Sequence, residues 1–484
     1  MPQPTLITTS IAYVNGAPHI GFAMELIEAD AMARWHRSRG AQTHFLTGTD
    51  EHGSKIYREA HKQGLQTQEM VDRNARPFRH LCDTLHISID DFIRTSQDRH
   101  KRGAQEIWRR IAASGKLEYR DFEGLYCVGC ETFYTEKELL DGKCPNHLTE
   151  PEVLTEQNVF FKLSEFSGQI ADLIERDVIE IQPDFRKNEI LQLAKEGLKD
   201  ISFSRPRSVL PWGIEVPDDP EQMMYVWCDA LTNYITALGF GSTDDWRTYW
   251  EAGEVKHFIG KDILRFHAAI WPAMLLAAEL PLPKKICVHG FLTSEGHKMS
   301  KSLGNVVDPF AVVEEFGGNP DPLRFFLLAE VPFGRDADFN RKRFLELYNA
   351  RLANGIGNLF SRVLTLAKKS GAQLPEAIAD TELKQTMAAL PRYVDKHMER
   401  CELHHAIEAV WHTVEYMTHD IDRKNPWIQM KADPASAQGE VADWLYALQV
   451  IAEEVGIFLP ATGTAMQQGL RTGESPILFP RKED

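Results

Sequence analysis

The chain has 484 residues, 43% hydrophobic and 26% charged, an ordinary globular composition whose length suggests two to four domains. Its formal net charge of −16 argues against uniform binding to DNA, RNA or an anionic membrane, although a local basic face remains compatible with it. The longest apolar stretch is too short to cross a bilayer, and the N-terminus has no signal-peptide pattern, so we expect a cytoplasmic protein.

The first third of the chain, and again a stretch after residue 222, alternates short strands with helices. Strands are predicted at Thr5–Thr9, Thr43–Leu46, Val255–Gly260 and Lys285–His289. Helical spacing follows the first strand up to Gly40, resumes after Gly53 and continues over Ile263–Ala278. This alternation predicts an α/β domain with a parallel sheet covered by helices.

Two other patterns divide the chain further. Between about Gly115 and Gln222 the alternation is lost and prolines recur, which indicates an insertion. After about Asp336, apolar residues follow long helical stripes typical of a helix bundle. The predicted parts are the two halves of the α/β domain (1–115 and 223–290), the insertion (116–222), a connecting segment (291–340) and an all-α bundle (341–484).

Pro18-His19-Ile20-Gly21 lies where the first strand leads into the first helix. At this position of an open α/β sheet, free backbone N–H groups attract phosphate. His19 can donate to a phosphate oxygen, and Gly21 permits close approach of a nucleotide. An ordinary turn with a surface histidine fits these four residues equally well, so alone they are a weak signal.

A second phosphate-binding candidate is the loop His297–Ser302, which contains Lys298, Ser300 and Lys301 between two glycines. Two lysines three residues apart on such a loop can swing over a polyphosphate and neutralise the charge that develops on a leaving pyrophosphate. The alternative is a solvated lysine–serine loop without a ligand.

Four possible metal ligands lie in the insertion. Cys127 and Cys130 are followed, after 13 residues, by Cys144 and His147. This spacing is that of a tetrahedral structural zinc site, with two ligands from each of two turns and no open position for catalysis. A disulfide is disfavoured in a reducing compartment. The sequence therefore predicts one structural zinc ion.

In this order, the two phosphate-binding candidates resemble the signature motifs of class I aminoacyl-tRNA synthetases, and the chain is similar to the methionyl-tRNA synthetase family. The resemblance spans almost the whole chain. It is also carried by Thr47–Gly53, Tyr225–Ala230, Phe258–Ile263 with His267, and Asn358–Arg362.

The resemblance implies a Rossmann-type catalytic domain, split by a zinc-binding insertion and followed by a helical anticodon-binding domain. It implies that methionine and Mg-ATP form methionyl-adenylate and pyrophosphate, after which the methionyl group passes to the terminal adenosine of tRNA(Met), read at its CAU anticodon. No DNA or membrane partner is expected, and we expect a monomer because an appended C-terminal dimerisation module is not seen.

The resemblance also assigns binding residues, each by its position in one of the family's motifs. For ATP, the resemblance implies His19, Gly21, Gly260, Asp262, Lys298, Ser300 and Lys301, with His19 and the two lysines acting in catalysis. For methionine, it implies Ile11, Ala12, Tyr13, Asp50, Trp227, Ala230, Tyr234, Ile263 and His267. Asp50 would bind the substrate ammonium, which needs a partner away from water, and the aromatic wall suits a thioether. Trp227 and Tyr234 could equally be ordinary core residues.

For the anticodon, the resemblance implies Asn358, Arg362 and Trp427, whose residue types suit hydrogen bonding and stacking with unpaired bases. A capped helix with an ion-pairing arginine is the alternative. Residues 335–370 hold eight lysines and arginines against three acidic residues, 8 − 3 = +5, which favours RNA.

One position departs from the family pattern. The first motif normally ends in a second histidine, and Phe22 stands there. An aromatic ring cannot donate to phosphate, so that contact must come from elsewhere or be weaker.

Two other functions fit parts of the sequence. One is a class I synthetase for leucine, isoleucine, valine or cysteine, although the branched-chain enzymes carry a much larger insertion. The other is a zinc-bearing RNA-binding protein without catalysis, which Phe22 alone supports.

Overall fold

A computed structural model describes residues 3–129, 132–146, 148–297, 299 and 305–483, with the backbone alone at 122, 123, 132, 133 and 154. The strands are β1 (Thr5–Thr9), β2 (Ala12–Tyr13), β3 (Thr43–Asp50), β4 (Asp91–Arg94), β5 (Leu117–Cys127), β6 (Thr132–Tyr134), β7 (Glu152–Phe161), β8 (Glu180–Gln182), β9 (Ile201–Ser202), β10 (Ser204–Pro206), β11 (Glu215–Val216), β12 (Asp219–Met224), β13 (Glu254–Gly260), β14 (Lys285–His289), β15 (Leu292–Ser294) and β16 (Ala337–Phe339).

The helices are α1 (Ile20–Ser38), α2 (Ser54–Lys62), α3 (Thr67–Thr84), α4 (Asp98–Ala113), α5 (Ser167–Glu175), α6 (Asp184–Glu196), α7 (Val226–Ala230), α8 (Asn233–Thr236), α9 (Trp271–Ala277), α10 (Pro309–Glu315), α11 (Asp321–Ala329), α12 (Arg341–Leu347), α13 (Asn358–Ser370), α14 (Thr381–Glu399), α15 (Leu403–Lys424), α16 (Pro426–Ala432), α17 (Pro434–Phe458) and α18 (Pro460–Thr472). In the part of the chain that the structure describes, no helix is long and apolar enough to span a membrane.

The predicted parallel sheet is confirmed. Seven strands form it in the order β2-β3-β1-β13-β14-β8, with β4 also pairing with β3. β1 pairs in parallel with β3 and β13, β3 with β2 and β4, and β14 with β8. The central strand β1 is fully buried, which explains its continuous apolar and threonine sequence. Open sheets of this kind bind ligands at the carboxyl ends of their strands.

Most predicted elements of this sheet are confirmed, with two corrections. The strand predicted at Thr43–Leu46 continues to Asp50, because β2 and β4 pair with its second half. The helix predicted over Ile263–Ala278 is not continuous. A 3₁₀ turn and then a π-helical turn at Phe266–Ile270 precede α9, and Pro272, which has no N–H to donate, lies in the first turn of α9.

The region predicted as an insertion forms its own antiparallel sheet, in the order β6-β5-β7-β9, and a smaller one, β10-β12-β11. One of its strands behaves differently, since β8 pairs in parallel with β14 of the main sheet. The residues 116–222 therefore also contribute an edge strand to the α/β sheet.

The chain divides into two compact units. The first unit comprises residues 1–18, 40–80 and 89–288 and holds the parallel sheet. The second unit comprises residues 19–39, 81–88 and 289–484, and so contains α1 and the predicted helix bundle, which is confirmed as α13 to α18.

Inside the second unit, α1 carries several buried charges. Asp30 accepts hydrogen bonds from Arg34 and Arg324, each at 2.7 Å, and from Ser88. Asp30 and Arg324 are completely buried. Because a buried unpaired charge is costly, this pairing fixes α1 against α11.

Two further carboxylates of α1, Glu25 and Glu28, lie near His289. His289 Nδ1 donates to the carbonyl of Gly290 at 2.8 Å and Nε2 donates to Glu25 at 2.8 Å. Although burial opposes its charge, the hydrogen bond that His289 donates to Glu25 and the charges of both carboxylates raise the pKa of His289 to about 9. Burial raises the pKa of Glu28 to about 7, and its Oε2 has no hydrogen-bond partner among the residues that the structure describes.

Glu28→Gln is expected to stabilise the protein more at pH 8 than at pH 5. The folded-state pKa of Glu28 is raised from 4.5 to about 7, so the wild type loses stability as the pH rises through that window. The variant does not titrate, and we expect a gain of about 1–3 kcal/mol in unfolding free energy at pH 8. Urea unfolding of the variant and the wild type at pH 5 and pH 8 measures this gain. An equal gain at both pH values would contradict the raised pKa of Glu28.

Candidate active site

Within the first unit, three neighbouring strands end beside one another at one edge of the sheet. β3 ends at Asp50, β1 leads into Ile11–Tyr13, and β13 ends at Gly260. The backbone joins them, since the amide of Ser10 donates to Phe258 O at 3.1 Å and that of Val14 to Asp50 O at 3.2 Å. The structure thus brings together the predicted methionine-binding and ribose-binding segments of these strands.

The exposure of these residues suits a binding edge. Asp50 is 8% exposed and lies beside Thr95, whose hydroxyl is 3.5 Å from Asp50 Oδ1. Ile11, Ala12 and Tyr13 are half-buried, and Asp262 is exposed in the turn after Gly260.

Aromatic side chains from α7, α8 and the segment before α9 line the same part of the unit. Trp227 stacks on Phe266 with ring centroids 3.7 Å apart, while Ala230 is buried at the end of α7. Tyr234 Oη is 2.6 Å from His267 Nε2. Trp227 and Tyr234 therefore pack against neighbouring side chains, as core residues would, and the half-buried Trp227 still has an exposed part.

The hydrogen bonds of His267 determine its tautomer. Nδ1 is 3.0 Å from the carbonyl of Ile263 and so carries the proton. Burial lowers the pKa of His267 to about 4, so the ring is neutral at pH 7 and Nε2 accepts from Tyr234. The tyrosine oxygen consequently has only lone pairs to present to a ligand.

Sequence reasoning missed a group of buried polar residues in the same unit. Glu51 accepts two hydrogen bonds from Arg94, at 2.6 and 2.9 Å, and His52 and His100 bind Asp229. Another buried ring, His257, contacts Thr8 through Nδ1 at 2.7 Å. One sequence signal could have indicated them. Charged residues occur inside the motif Thr47–Gly53 and inside the segment of α7, and charged residues among apolar neighbours are buried only when they are paired.

In the second unit, His19 is the N-cap of α1. Its Nδ1 accepts from the amide of Gly21 at 3.1 Å, so a neutral ring carries its proton on Nε2. A Cβ at position 21 would lie 3.0 Å from the His19 ring, which explains why glycine suits that position. The exposed His19 can therefore donate from Nε2 at a helix N-terminus. Phe22, in the first turn, is half-buried.

The predicted lysine loop lies mostly outside the described residues, which include neither Lys298, Ser300 nor Lys301. Its two flanks are described. Ser294 and His297 exchange backbone hydrogen bonds around Glu295 and Gly296, both at positive φ, as in a tight hairpin turn. Beyond the loop, the carbonyl of Val307 accepts from the amide of Ile20 at 3.2 Å. The described segment that follows the loop is thus next to the start of α1.

The predicted anticodon residues lie at one part of the helix bundle. Asn358 begins α13 and is exposed, and Arg362 follows one turn later. The Arg362 guanidinium lies 6.0 Å from the ring centroid of Trp427, which is 47% exposed. Arg362 also pairs with Asp422 at 2.6 Å. The structure brings Arg362 and Trp427 together.

The excess of +5 counted along residues 335–370 overstates the local positive charge. Four of the arginines form ion pairs with carboxylates from outside that stretch. These pairs are Arg341–Glu315, Arg343–Glu330, Arg351–Glu408 and Arg362–Asp422. Counting charge along the chain missed them because the partners are distant in sequence.

Of the four predicted zinc ligands, Cys127 and Cys144 are described and both are buried. Cys127 ends β5, and Cys144 lies in a turn in which its amide donates to Thr149 O at 2.9 Å. Cys130 and His147 lie outside the described residues. Among the residues that are described, no three histidine, cysteine or acidic side chains form a group able to hold a metal.

Comparison with known proteins identifies the family and the fold. The model of the family "tRNA synthetases class I (M)" matches residues 5–150 and 147–364. A methionine–tRNA ligase of Brucella suis is 45% identical over 464 residues, covering 94% of this chain and 88% of the relative. One from Mycobacterium leprae is 40% identical over 457 residues, covering 92% and 84%.

Solved structures are similar as well. Mycobacterium tuberculosis methionyl-tRNA synthetase in complex with methionyl-adenylate has a TM-score of 0.89 at 36% identity, covering 96% of this chain and 93% of that one. The apo form of the enzyme from that organism has a TM-score of 0.85 at 32% identity, covering 100% and 99%.

The parallel α/β sheet and the C-terminal helices, together with these matches, define the class of the protein as a class I aminoacyl-tRNA synthetase. Within that class, the chain belongs to the methionyl-tRNA synthetase family.

Proposed function

We propose that this chain is a methionine–tRNA ligase, which forms methionyl-adenylate from methionine and Mg-ATP and then transfers the methionyl group to the terminal adenosine of tRNA(Met). One observation supports the proposal most strongly: Asp50, the segment 11–13 and Gly260 lie side by side at one edge of the sheet. Radiolabelled methionine should become bound to tRNA only when ATP is present, and no labelled tRNA with a folded enzyme would contradict the proposal.

In the first step, the methionine carboxylate attacks the α-phosphate of ATP, so the protein contributes positioning and charge stabilisation. Asp50 would bind the substrate ammonium, and Ile11, Ala12 and Tyr13 would border the amino acid. The wall for the thioether would be formed by Trp227, Ala230, Tyr234, Ile263 and His267. The neutral His267 supports this role, because a charged ring would have to be desolvated beside an apolar side chain.

The ATP phosphates would be held at the start of α1. His19 would donate from Nε2, and Gly21 would allow close approach of the nucleotide. Lys298, Ser300 and Lys301 would act from the loop that precedes Val307, whose carbonyl accepts from the amide of Ile20. Gly260 and the exposed Asp262 would contact the ribose. A donor set of this kind stabilises charge as pyrophosphate leaves.

A structural zinc ion would be bound by Cys127, Cys130, Cys144 and His147. The burial of the two described thiols fits a closed site, and thiolate and imidazole are the ligands that zinc prefers. The ion would stabilise the turns and take no part in the chemistry. Metal analysis should give one zinc per chain, and Cys144→Ser should release it; an intact zinc content in that variant would contradict the assignment.

Recognition of the CAU anticodon would rest on Asn358, Arg362 and Trp427. The pair between Arg362 and Asp422 is solvent-accessible, and such pairs contribute only ~0–1 kcal/mol, so RNA can replace Asp422 at little cost. The exposed face of Trp427 offers a stacking surface for a base. A cytoplasmic location and the absence of DNA and membrane partners remain predictions.

Trp427→Ala is expected to lower kcat/KM for aminoacylation of tRNA by about 5- to 150-fold, the equivalent of losing ~1–3 kcal/mol of stacking. Methionine-dependent ATP–pyrophosphate exchange should change by less than about 2-fold. Tyr393→Ala, which removes another exposed aromatic ring of the second unit, is the matched control. Equal losses in aminoacylation and exchange would contradict the anticodon role of Trp427.

A further inference from the structure

One buried carboxylate in the first unit binds two histidines from distant parts of the chain. Asp229 Oδ2 lies 2.6 Å from His52 Nδ1, and Asp229 Oδ1 lies 2.7 Å from His100 Nε2. Asp229 and His100 are 0% exposed and His52 is 2% exposed. Because a carboxylate oxygen only accepts, both histidines donate to Asp229.

The two histidines favour the charged form of Asp229. Burial alone raises the pKa of Asp229, but the charge of His52 and the hydrogen bonds from both histidines lower it below its usual range. Asp229 is therefore an anion at neutral pH with both oxygens occupied. Removing the anion leaves two buried donors without their acceptor, which favours a rearrangement of the elements that carry them.

Two of these elements carry residues of the proposed methionine pocket. His52 follows Asp50 by two residues, so its position limits where the strand end and the Asp50 carboxylate can lie. Asp229 lies in α7 between Trp227 and Ala230, and the whole helix is only five residues long. The hydrogen bond between His52 and Asp229 thus joins the ammonium side of the pocket to its aromatic side.

The second histidine extends the connection. His100 comes from α4, and its Nδ1 lies 2.8 Å from Thr236 Oγ1. Thr236 ends α8, two residues after Tyr234, which lines the proposed pocket. Asp229 thereby connects α7 directly with the end of β3 and, through His100 of α4, with α8. The end of β3, α7 and α8 each carry a residue of the proposed pocket.

We propose that Asp229 is a positioning residue for methionine, which acts through His52 and His100 and does not touch the substrate. This inference rests on the proposed methionine pocket. A displacement of about 1 Å in a binding group is enough to reduce a rate 100-fold, so the spacing that Asp229 sets matters for affinity and for rate.

The test is Asp229→Asn in the full chain, measured by ATP–pyrophosphate exchange. Asparagine keeps the shape but places an N–H opposite a histidine donor. We expect KM for methionine to rise by about 10-fold or more, while KM for ATP stays within about 2-fold. Thr236→Val removes the outer hydrogen bond to His100 and a local one to the carbonyl of Asn233, but keeps both bonds to Asp229, so it should raise KM for methionine by a smaller factor of about 2–5.

Asp200→Asn is the control. Asp200 accepts from Ser164 and Arg120 in the region 116–222, so both KM values should be unchanged. Thermal melting without ligands reports folding separately. Unchanged KM for methionine in Asp229→Asn, or equal rises for both substrates, would overturn the proposal. If that variant does not fold, Thr236→Val decides, and an unchanged KM for methionine overturns it.

Failure of the underlying function would look different. If the wild type shows no methionine-dependent exchange, the proposed ligase activity is wrong. If Asp50→Asn leaves KM for methionine unchanged, the pocket itself is wrong. The positioning role alone would be contradicted by a third outcome. In it, the wild type shows methionine-dependent exchange and Asp50→Asn raises KM for methionine, but Asp229→Asn leaves KM for methionine unchanged.

Discussion

Asp50→Asn is expected to lower kcat/KM for methionine in ATP–pyrophosphate exchange by about 10²–10³-fold. Asp50 is largely buried at the end of β3, so a substrate ammonium placed there would lose water without gaining a counter-charge in the variant. Breaking one partner of a buried ion pair costs ~3–5 kcal/mol. The effect should appear mainly in KM for methionine, because Asp50 binds the ground state as well as the transition state.

Asp90→Asn provides the matched control for this substitution. Asp90 lies near the opposite end of the same strand, where its Oδ2 accepts from the amide of Phe45 at 2.7 Å. We expect the Asp90→Asn variant to keep the wild-type kcat and KM for methionine. Wild-type KM for methionine in Asp50→Asn would show that another group binds the ammonium.

Lys301→Ala is expected to reduce kcat of exchange by about 10²–10³-fold, the usual cost of removing one donor from a developing negative charge. KM for methionine should change by less than about 2-fold, because the lysine would act on phosphates. The described flanks support this role, since the hairpin turn at Ser294–His297 precedes the loop and Val307, which follows it, accepts a hydrogen bond from Ile20 at the start of α1. Steady-state exchange kinetics at varied methionine and ATP provide the measurement.

Lys342→Ala removes an exposed lysine from α12 and serves as the control, with no expected change in kcat. A variant at position 301 that binds methionine weakly but retains the wild-type kcat would contradict the assigned role. Lys298→Ala should show a smaller loss of kcat in the same direction.

Much of the fold could be predicted from sequence because local patterns determine it. β1 is flanked by turn residues and consists of β-branched and apolar residues that are all buried, and the strand at 285–289 was predicted at its observed bounds. The extension of β3 to Asp50 was missed, since it depends on pairing with β2 and β4, which are far away in the chain. The same reason hid the pairing of β8 with β14.

The site was predicted only where a motif carries it. Asp50 and His19 stand in short signatures, and the structure places both at element ends suited to ligands. Asp229 and His100 are separated by 129 residues, and nothing in either neighbourhood indicates the other. The pairing of Arg362 with Asp422 was likewise invisible, because a charge count along the chain contains no information on partners in space.

Exchange of radiolabelled pyrophosphate into ATP, measured in parallel with methionine, leucine, isoleucine, valine and cysteine, tests the central claim most directly. The reaction requires reversible formation of an aminoacyl-adenylate, so it reports the first step and the choice of amino acid together. The proposed function predicts exchange with methionine alone. Exchange that depends on one of the other amino acids, or tRNA binding without any exchange, would contradict it.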